Sequence, residues 1–165
     1  ALDRTITRAE FTKLAVAAST SRDTVGDTVA VKPYPDVSQT HWAAPYIKAA
    51  VDLGLVEGDE NGAFRPDDLV DYQQFLTILT RMAARTDLTV QWYLEDLSAD
   101  DLERAAALGY DSWACASAAG AEGLGFLPAS LEECAPHDTV TREEAAAMLY
   151  QFLAYSGILV PVAQS

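Results

Sequence analysis

Phe64-Arg65-Pro66-Asp67-Asp68-Leu69-Val70-Asp71-Tyr72-Gln73-Gln74-Phe75 has two echoes elsewhere in the chain. One is Cys134-Ala135-Pro136-His137-Asp138-Thr139-Val140-Thr141-Arg142-Glu143-Glu144-Ala145. The other is Leu2-Asp3-Arg4-Thr5-Ile6-Thr7-Arg8-Ala9-Glu10-Phe11. From Pro66, Pro136 and Leu2 onward the three run without gaps, as copies of one internal repeat. Each announces a helix start in the same way. Thr7, Asp71 and Thr141 are good N-caps, and Glu10, Gln74 and Glu144 follow three residues later, as in a capping box. Ile6, Val70 and Val140 stand just before the caps, placed to staple onto Phe11, Phe75 and Ala145. Apolar residues then recur at helical spacing: Phe11, Leu14, Ala15, Ala18; Phe75, Ile78, Leu79, Met82; Ala145, Met148, Leu149, Phe152. Three amphipathic helices of about 12 to 15 residues are expected.

A second element occurs in two copies only. Trp42-Ala43 and Trp113-Ala114 each open an Ala-rich stretch that ends at a glycine, Gly54 or Gly125. In the first of these, Trp42, Tyr46, Ile47, Ala50 and Leu53 fall on one helical face, and Gly54 suits a left-handed C-cap. Pro45 either starts this helix or kinks it. Asn61-Gly62 is a turn signal. Residues 19–33 and 86–95 read as linkers, though Trp92 and Tyr93 in the latter ask for something to pack on. The expected fold is all-α, built of helix–loop–helix repeats around a shared helical core. Its parts are residues 1–20 (the second half of a first motif), 34–86 (a second) and 93–155 (a divergent third with an extended lead-in, Leu97 through Asp111).

Composition limits what such a chain does. At 165 residues, half of them apolar, it can bury an ordinary core without a metal or staple. Eleven Lys and Arg against twenty-five Asp and Glu give a net charge of −14, a field that repels nucleic acid and anionic lipid. No apolar run approaches the roughly 20 residues of a membrane span. The opening Ala1, without an initiator Met or apolar leader, suggests a processed or trimmed piece, from which a secretion signal could have been lost upstream. Cys115 and Cys134 are candidates for one bridge, which would close a loop of about 20 residues; their spacing leaves this open. No cofactor or metal is expected: neither His41 nor His137 has a close Cys or His partner. Asp59-Glu60-Asn61-Gly62 echoes a calcium loop only faintly. No nucleophile–base pair argues for an enzyme.

Tyr34-Pro35-Asp36-Val37, His41-Trp42-Ala43, Ile47, Gly54-Leu55, Gly58, Gly62, Phe64 and Pro66 together resemble the motif of S-layer homology domains. Thr7-Arg8-Ala9-Glu10 and Thr141-Arg142-Glu143-Glu144 resemble that family's Thr-Arg-Ala-Glu signature. The resemblance implies three tandem motifs folded as a three-pronged helical spindle. It also implies a non-catalytic anchor, secreted to the surface of Gram-positive bacteria, that binds secondary cell-wall polysaccharide, often pyruvylated, in grooves between prongs. A cargo domain elsewhere in the full-length protein fits this reading. The central copy departs, with Asp71-Tyr72-Gln73-Gln74 in place of the signature. The third replaces the Gly-x-Phe-x-Pro loop with Ala129 through Pro136.

The caps are explained by folding; the arginines behind them are not. A cation at a helix N-terminus opposes the macrodipole, and becomes sensible where an anion docks beside the exposed N–H donors. Arg8 and Arg142 are therefore the leading ligand candidates, against a solvated arginine paired with a carboxylate. Trp42 and Trp113 read as core aromatics that the resemblance also lets line a groove. Asp36 either accepts sugar hydroxyls or caps the turn ahead of Ser38. Lys13, Lys48 and Arg65 are isolated cations, read as solvated before groove-lining. The competing function is a degenerate repeat that keeps the fold as an interaction or spacer module. Tyr72, an aromatic where the anchor has its cation, supports that alternative.

Overall fold

A computed structural model describes residues 3–19 and 24–157. Leu2 of the first copy and residues 20–23 of the expected linker lie outside them, as do the ends of the 1–20 segment. Among the described residues the chain is all-helical: α1 (Arg8–Ser19), α2 (Ala44–Asp52), α3 (Tyr72–Thr86), α4 (Leu88–Glu95), α5 (Ala99–Ala107), α6 (Cys115–Gly123) and α7 (Arg142–Tyr155). A short 3₁₀ turn covers Leu131–Glu133. The three repeat helices α1, α3 and α7 have 12, 15 and 14 residues, in the expected range. The chain divides into two compact units, Thr5–Val70 and Asp71–Ser165, the latter joined by Ala1–Arg4.

In the Thr5–Val70 unit, α1 packs on α2. The capping box forms: Glu10 N donates to Thr7 Oγ1 and Thr7 N to Glu10 Oε2, both at 3.2 Å. The next two orphan N–H groups of the helix find carbonyls far along the chain, Arg8 N to Asp68 O and Ala9 N to Pro66 O. The buried arc of α1 runs from Phe11 through Ala15, Thr12 and Val16 to Ala9. Leu14 falls beyond its edge at 100° per residue and is exposed, so Val16 takes the core place expected of it. Pro45 sits in the first turn of α2 and starts the helix without kinking it. Gly54, at φ +71°, ends it with Leu55 N bonded back to Ala50 O.

In the Asp71–Ser165 unit, α6 is central, packing on α3, α4 and α5. Asp71 caps α3 by accepting from Gln74 N, and α7 carries a full capping box between Thr141 and Glu144. Here too repeat helices pass their orphan N–H groups to distant carbonyls: Tyr72 N to Asp138 O, Gln73 N to Pro136 O and Arg142 N to Arg4 O. The linker expected at 86–95 is instead the helix α4, capped by Asp87 through Thr89 N. It docks because α6 presents glycines. A Cβ at Gly120 would collide with Leu94, and one at Gly123 with the Tyr93 hydroxyl. Only Val90 of α4 is buried, which is why its hydrophobic pattern is faint. In place of the Gly-x-Phe-x-Pro loop, Arg104 bridges Glu122 and Glu132, and Glu122 accepts from Leu131 N at 2.7 Å.

Candidate functional site

Arg8 is the first residue of α1, and its side chain is fixed. Nε donates to Phe64 O at 2.8 Å and Nη2 to Glu57 O at 3.5 Å, while the guanidinium carbon stands 4.8 Å from the centre of the Phe64 ring. That ring stacks in turn on Tyr34, centroids 5.3 Å apart. Burial raises the Tyr34 hydroxyl above its usual pKa against the pull of Gly58 N–H and Arg8, so it stays neutral. These carbonyls and the ring face position a positive charge at a helix N-terminus and help to offset the macrodipole penalty.

Asp36 meets the same loop from its other side. Oδ1 accepts from Phe64 N at 2.9 Å and Oδ2 from Arg65 N at 2.7 Å. Burial alone would raise its pKa, but these N–H donors outweigh it and hold the carboxyl below its ordinary value. The carboxylate is therefore a clamp on the backbone that carries Arg8's acceptor. Arg65 needs that clamp: its φ of 56° is left-handed for a residue with a Cβ. Phe64 enters the expectation only as a motif residue, and the Glu57 carbonyl does not enter it at all. The Gly-x-Phe-x-Pro element held the signal for Phe64.

Trp42 and Trp113 depart from the core-aromatic expectation. They are not core residues: Trp42 is 52% exposed and Trp113 54% exposed. Each precedes the helix it was expected to join, so neither lies on the buried stripe. Trp42 stacks on His41, and Lys13 Nζ stands 6.0 Å from its centroid and 5.3 Å from that of Tyr46. Of the other isolated cations, Lys48 pairs with Asp52 and Arg65 with Asp59. Asp59 also accepts from Asn61 N and Ala63 N, so its oxygens organise the turn. Among the described residues no group of three His, Cys, Asp or Glu side chains is placed to hold a metal. No described helix is long and apolar enough to cross a membrane.

In the Asp71–Ser165 unit, Arg142 is exposed at the start of α7. Cys115 and Cys134 are buried free thiols; no bridge joins them. Cys115 Sγ is turned to the carbonyls of Tyr110 and Asp111. Cys134 lies beside the Tyr110 and Tyr72 side chains, and burial, more than the nearby carboxylates, pushes its thiol up to about 11.

Comparison with known proteins agrees with this picture. Residues 33–76 match the S-layer homology domain. Amylopullulanase of Thermoanaerobacterium thermosulfurigenes is 30% identical over 156 residues, which is 94% of this chain and 8% of that protein. Cell surface glycoprotein 1 of Acetivibrio thermocellus is 36% identical over 77 residues, 47% of this chain and 3% of its own length. Middle cell wall protein of Brevibacillus brevis is 32% identical over 80 residues, 48% of this chain and 8% of its own length. The chain thus spans less than a tenth of each of these relatives. The repeat signature, the capped helices that realise it and these matches converge: the chain belongs to the S-layer homology domain family.

Proposed function

We propose that this domain holds its parent protein at the cell surface by binding an anionic cell-wall polysaccharide, with Arg8 as the principal contact. An S-layer homology domain is a non-catalytic anchoring module of secreted surface proteins, so the localisation is the bacterial cell wall. The finer reading rests chiefly on one observation, the Arg8 guanidinium positioned by the Phe64 and Glu57 carbonyls and the Phe64 ring beside a helix N-terminus. Such a cation is preorganised for a carboxylate or pyruvate ketal, which it meets through a charge-assisted pair. Arg142, exposed at the equivalent helix start, is the second contact. Trp42 with Lys13 offers a sugar face beside a cation, and Trp113 an aromatic surface ahead of α6. Asp36 acts through the loop it clamps. The domain organisation follows from the same reading: half a motif at 1–20, a full one at 34–86 and a divergent one at 93–155.

Cosedimentation with purified wall polysaccharide tests this. Arg8→Ala is expected to weaken binding roughly tenfold or more, with a further loss when Arg142→Ala is added. Arg8→Lys fails to restore it, because an ammonium cannot engage the Phe64 carbonyl and an anion together as a fork. Binding unchanged in the double variant would reject the proposal. A second reading, a repeat retained as an interaction or spacer module, draws on Tyr72, which is buried where Arg8 and Arg142 stand in the other copies. It is favoured if wall polymers from a panel of bacteria all fail to retain the intact chain.

A further inference from the structure

The backbone frame that surrounds Arg8 is built a second time, with different side chains in it. Arg8 N and Ala9 N donate to Asp68 O and Pro66 O in one unit; Tyr72 N and Gln73 N donate to Asp138 O and Pro136 O in the other. The pairs are equivalent by the repeat, as are Phe64 and Cys134. In the first frame the Phe64 carbonyl accepts from Arg8 Nε. In the second the Cys134 carbonyl accepts from Tyr110 Oη at 2.6 Å. Tyr72 is 5% exposed and hydrogen-bonds to Glu144, the capping-box carboxylate of α7. Gln73 is buried too, giving Nε2 to Asp111 Oδ2 at 2.9 Å and taking Asp111 N at 3.2 Å. Replacing the Phe64 ring by a Cys134 thiol leaves the volume that an aromatic ring needs.

We infer that the start of α3 is a sealed, structural counterpart of the Arg8 site: Tyr72 and Tyr110 fill it, and it takes no anion. The inference rests on the reading of Arg8 as a ligand contact. It makes Tyr72 of the central copy and Tyr110 and Cys134 of the third parts of one packing solution, and it limits anion contacts at repeat-helix starts to Arg8 and Arg142. The substitutions depend on one another. An arginine at position 72 with Tyr110 and Cys134 unchanged would bring a buried cation to a carbonyl already occupied, beside a thiol in place of a ring.

Two measurements on the full chain test it. Ellman's reagent reads the seal: in a Cys115→Ser background, native Cys134 is protected, and Tyr72→Ala raises its rate roughly tenfold or more. If Tyr72→Ala does not fold, Tyr72→Val makes a smaller opening with the same direction of change. Equal Cys134 rates with and without Tyr72 overturn the inference. Calorimetric titration with a pyruvate-ketal hexoside reads the consequence. Arg8→Ala/Arg142→Ala abolishes binding, and Tyr72→Leu in the otherwise unaltered chain leaves stoichiometry as it was. Residual binding in the double variant that Tyr72→Leu then removes also overturns it. If the hexoside does not bind the unaltered chain, the Arg8 reading fails, and the thiol rates still decide the seal.

Discussion

At Arg8 the helix and the side chain pull in opposite directions. The macrodipole disfavours a cation there by a few tenths of a kcal/mol to about one, and the Phe64 and Glu57 carbonyls answer it. That answer exists only because the loop is clamped by Asp36 through Phe64 N and Arg65 N. Asp36→Ala is therefore expected to lower stability by about 1 kcal/mol, since it strands two N–H groups that are partly reached by water. A urea titration of the folded signal measures this. The same variant should weaken polysaccharide binding without any contact to ligand, whereas Asp36→Asn, keeping one acceptor, loses less of both. Asp36 was legible as a polar residue in a motif but not as a clamp. Its partners lie 28 and 29 positions away in sequence, and no local pattern encodes that distance. The tryptophans failed for the opposite reason. Trp42 fits a helical stripe by number, yet the helix starts after it, at Ala44, and the stripe does not extend to it.

Helix starts were the most readable elements. Cap, staple residue and third-position acceptor all lie within a few residues of each other, so the chemistry is local. Thr141→Ala should cost about 1 kcal/mol, seen as a lower urea midpoint, because it removes the acceptor for Glu144 N. The helix α4 shows where local reading ends. Leu88–Glu95 is short and buries one residue, and it is held by the glycines of α6. Gly123→Ala sets a methyl against the Tyr93 hydroxyl and should destabilise by about 1 kcal/mol. Tyr93→Phe removes the atom in conflict, so the pair should show a positive coupling in a double-mutant cycle. Amide exchange in α4 reports the same event as lost protection; unchanged exchange in Gly123→Ala would contradict the packing described for it.

Across the whole molecule the excess of carboxylates gives stability a pH dependence. Arg104 holds Glu122 and Glu132 below the ordinary 4.5, and N–H donors from Ala63 and Asn61 do the same for Asp59 against an ordinary 3.8. For Glu144, burial pushes upward, but hydrogen bonds from Thr141 and Tyr72 prevail. Each folded value is depressed, so this stabilisation is complete above the unfolded values and is lost as pH falls through the folded ones. At the alkaline side the sign reverses. Burial raises Cys134 to about 11 from an ordinary 9.0, so its contribution is whole below 9.0 and lost as pH rises toward 11. Thermal melts followed by circular dichroism should thus be level between about pH 5 and 8.5 and fall on both sides. Arg104→Gln should make the acid fall shallower; an acid limb that keeps its slope in this variant would show that Arg104 does not set it. The sequence alone determined an all-α chain, three repeated helix starts with their caps, the family they belong to and a charge that repels nucleic acid. These follow from near-neighbour chemistry and from composition. Only the tertiary structure decided that Asp36 clamps a loop, that Trp42 and Trp113 face solvent, that residues 88–95 form a helix and that Tyr72 is buried beside Cys134. Each of those depends on partners brought from tens of residues away, where packing and desolvation, rather than local pattern, choose the outcome.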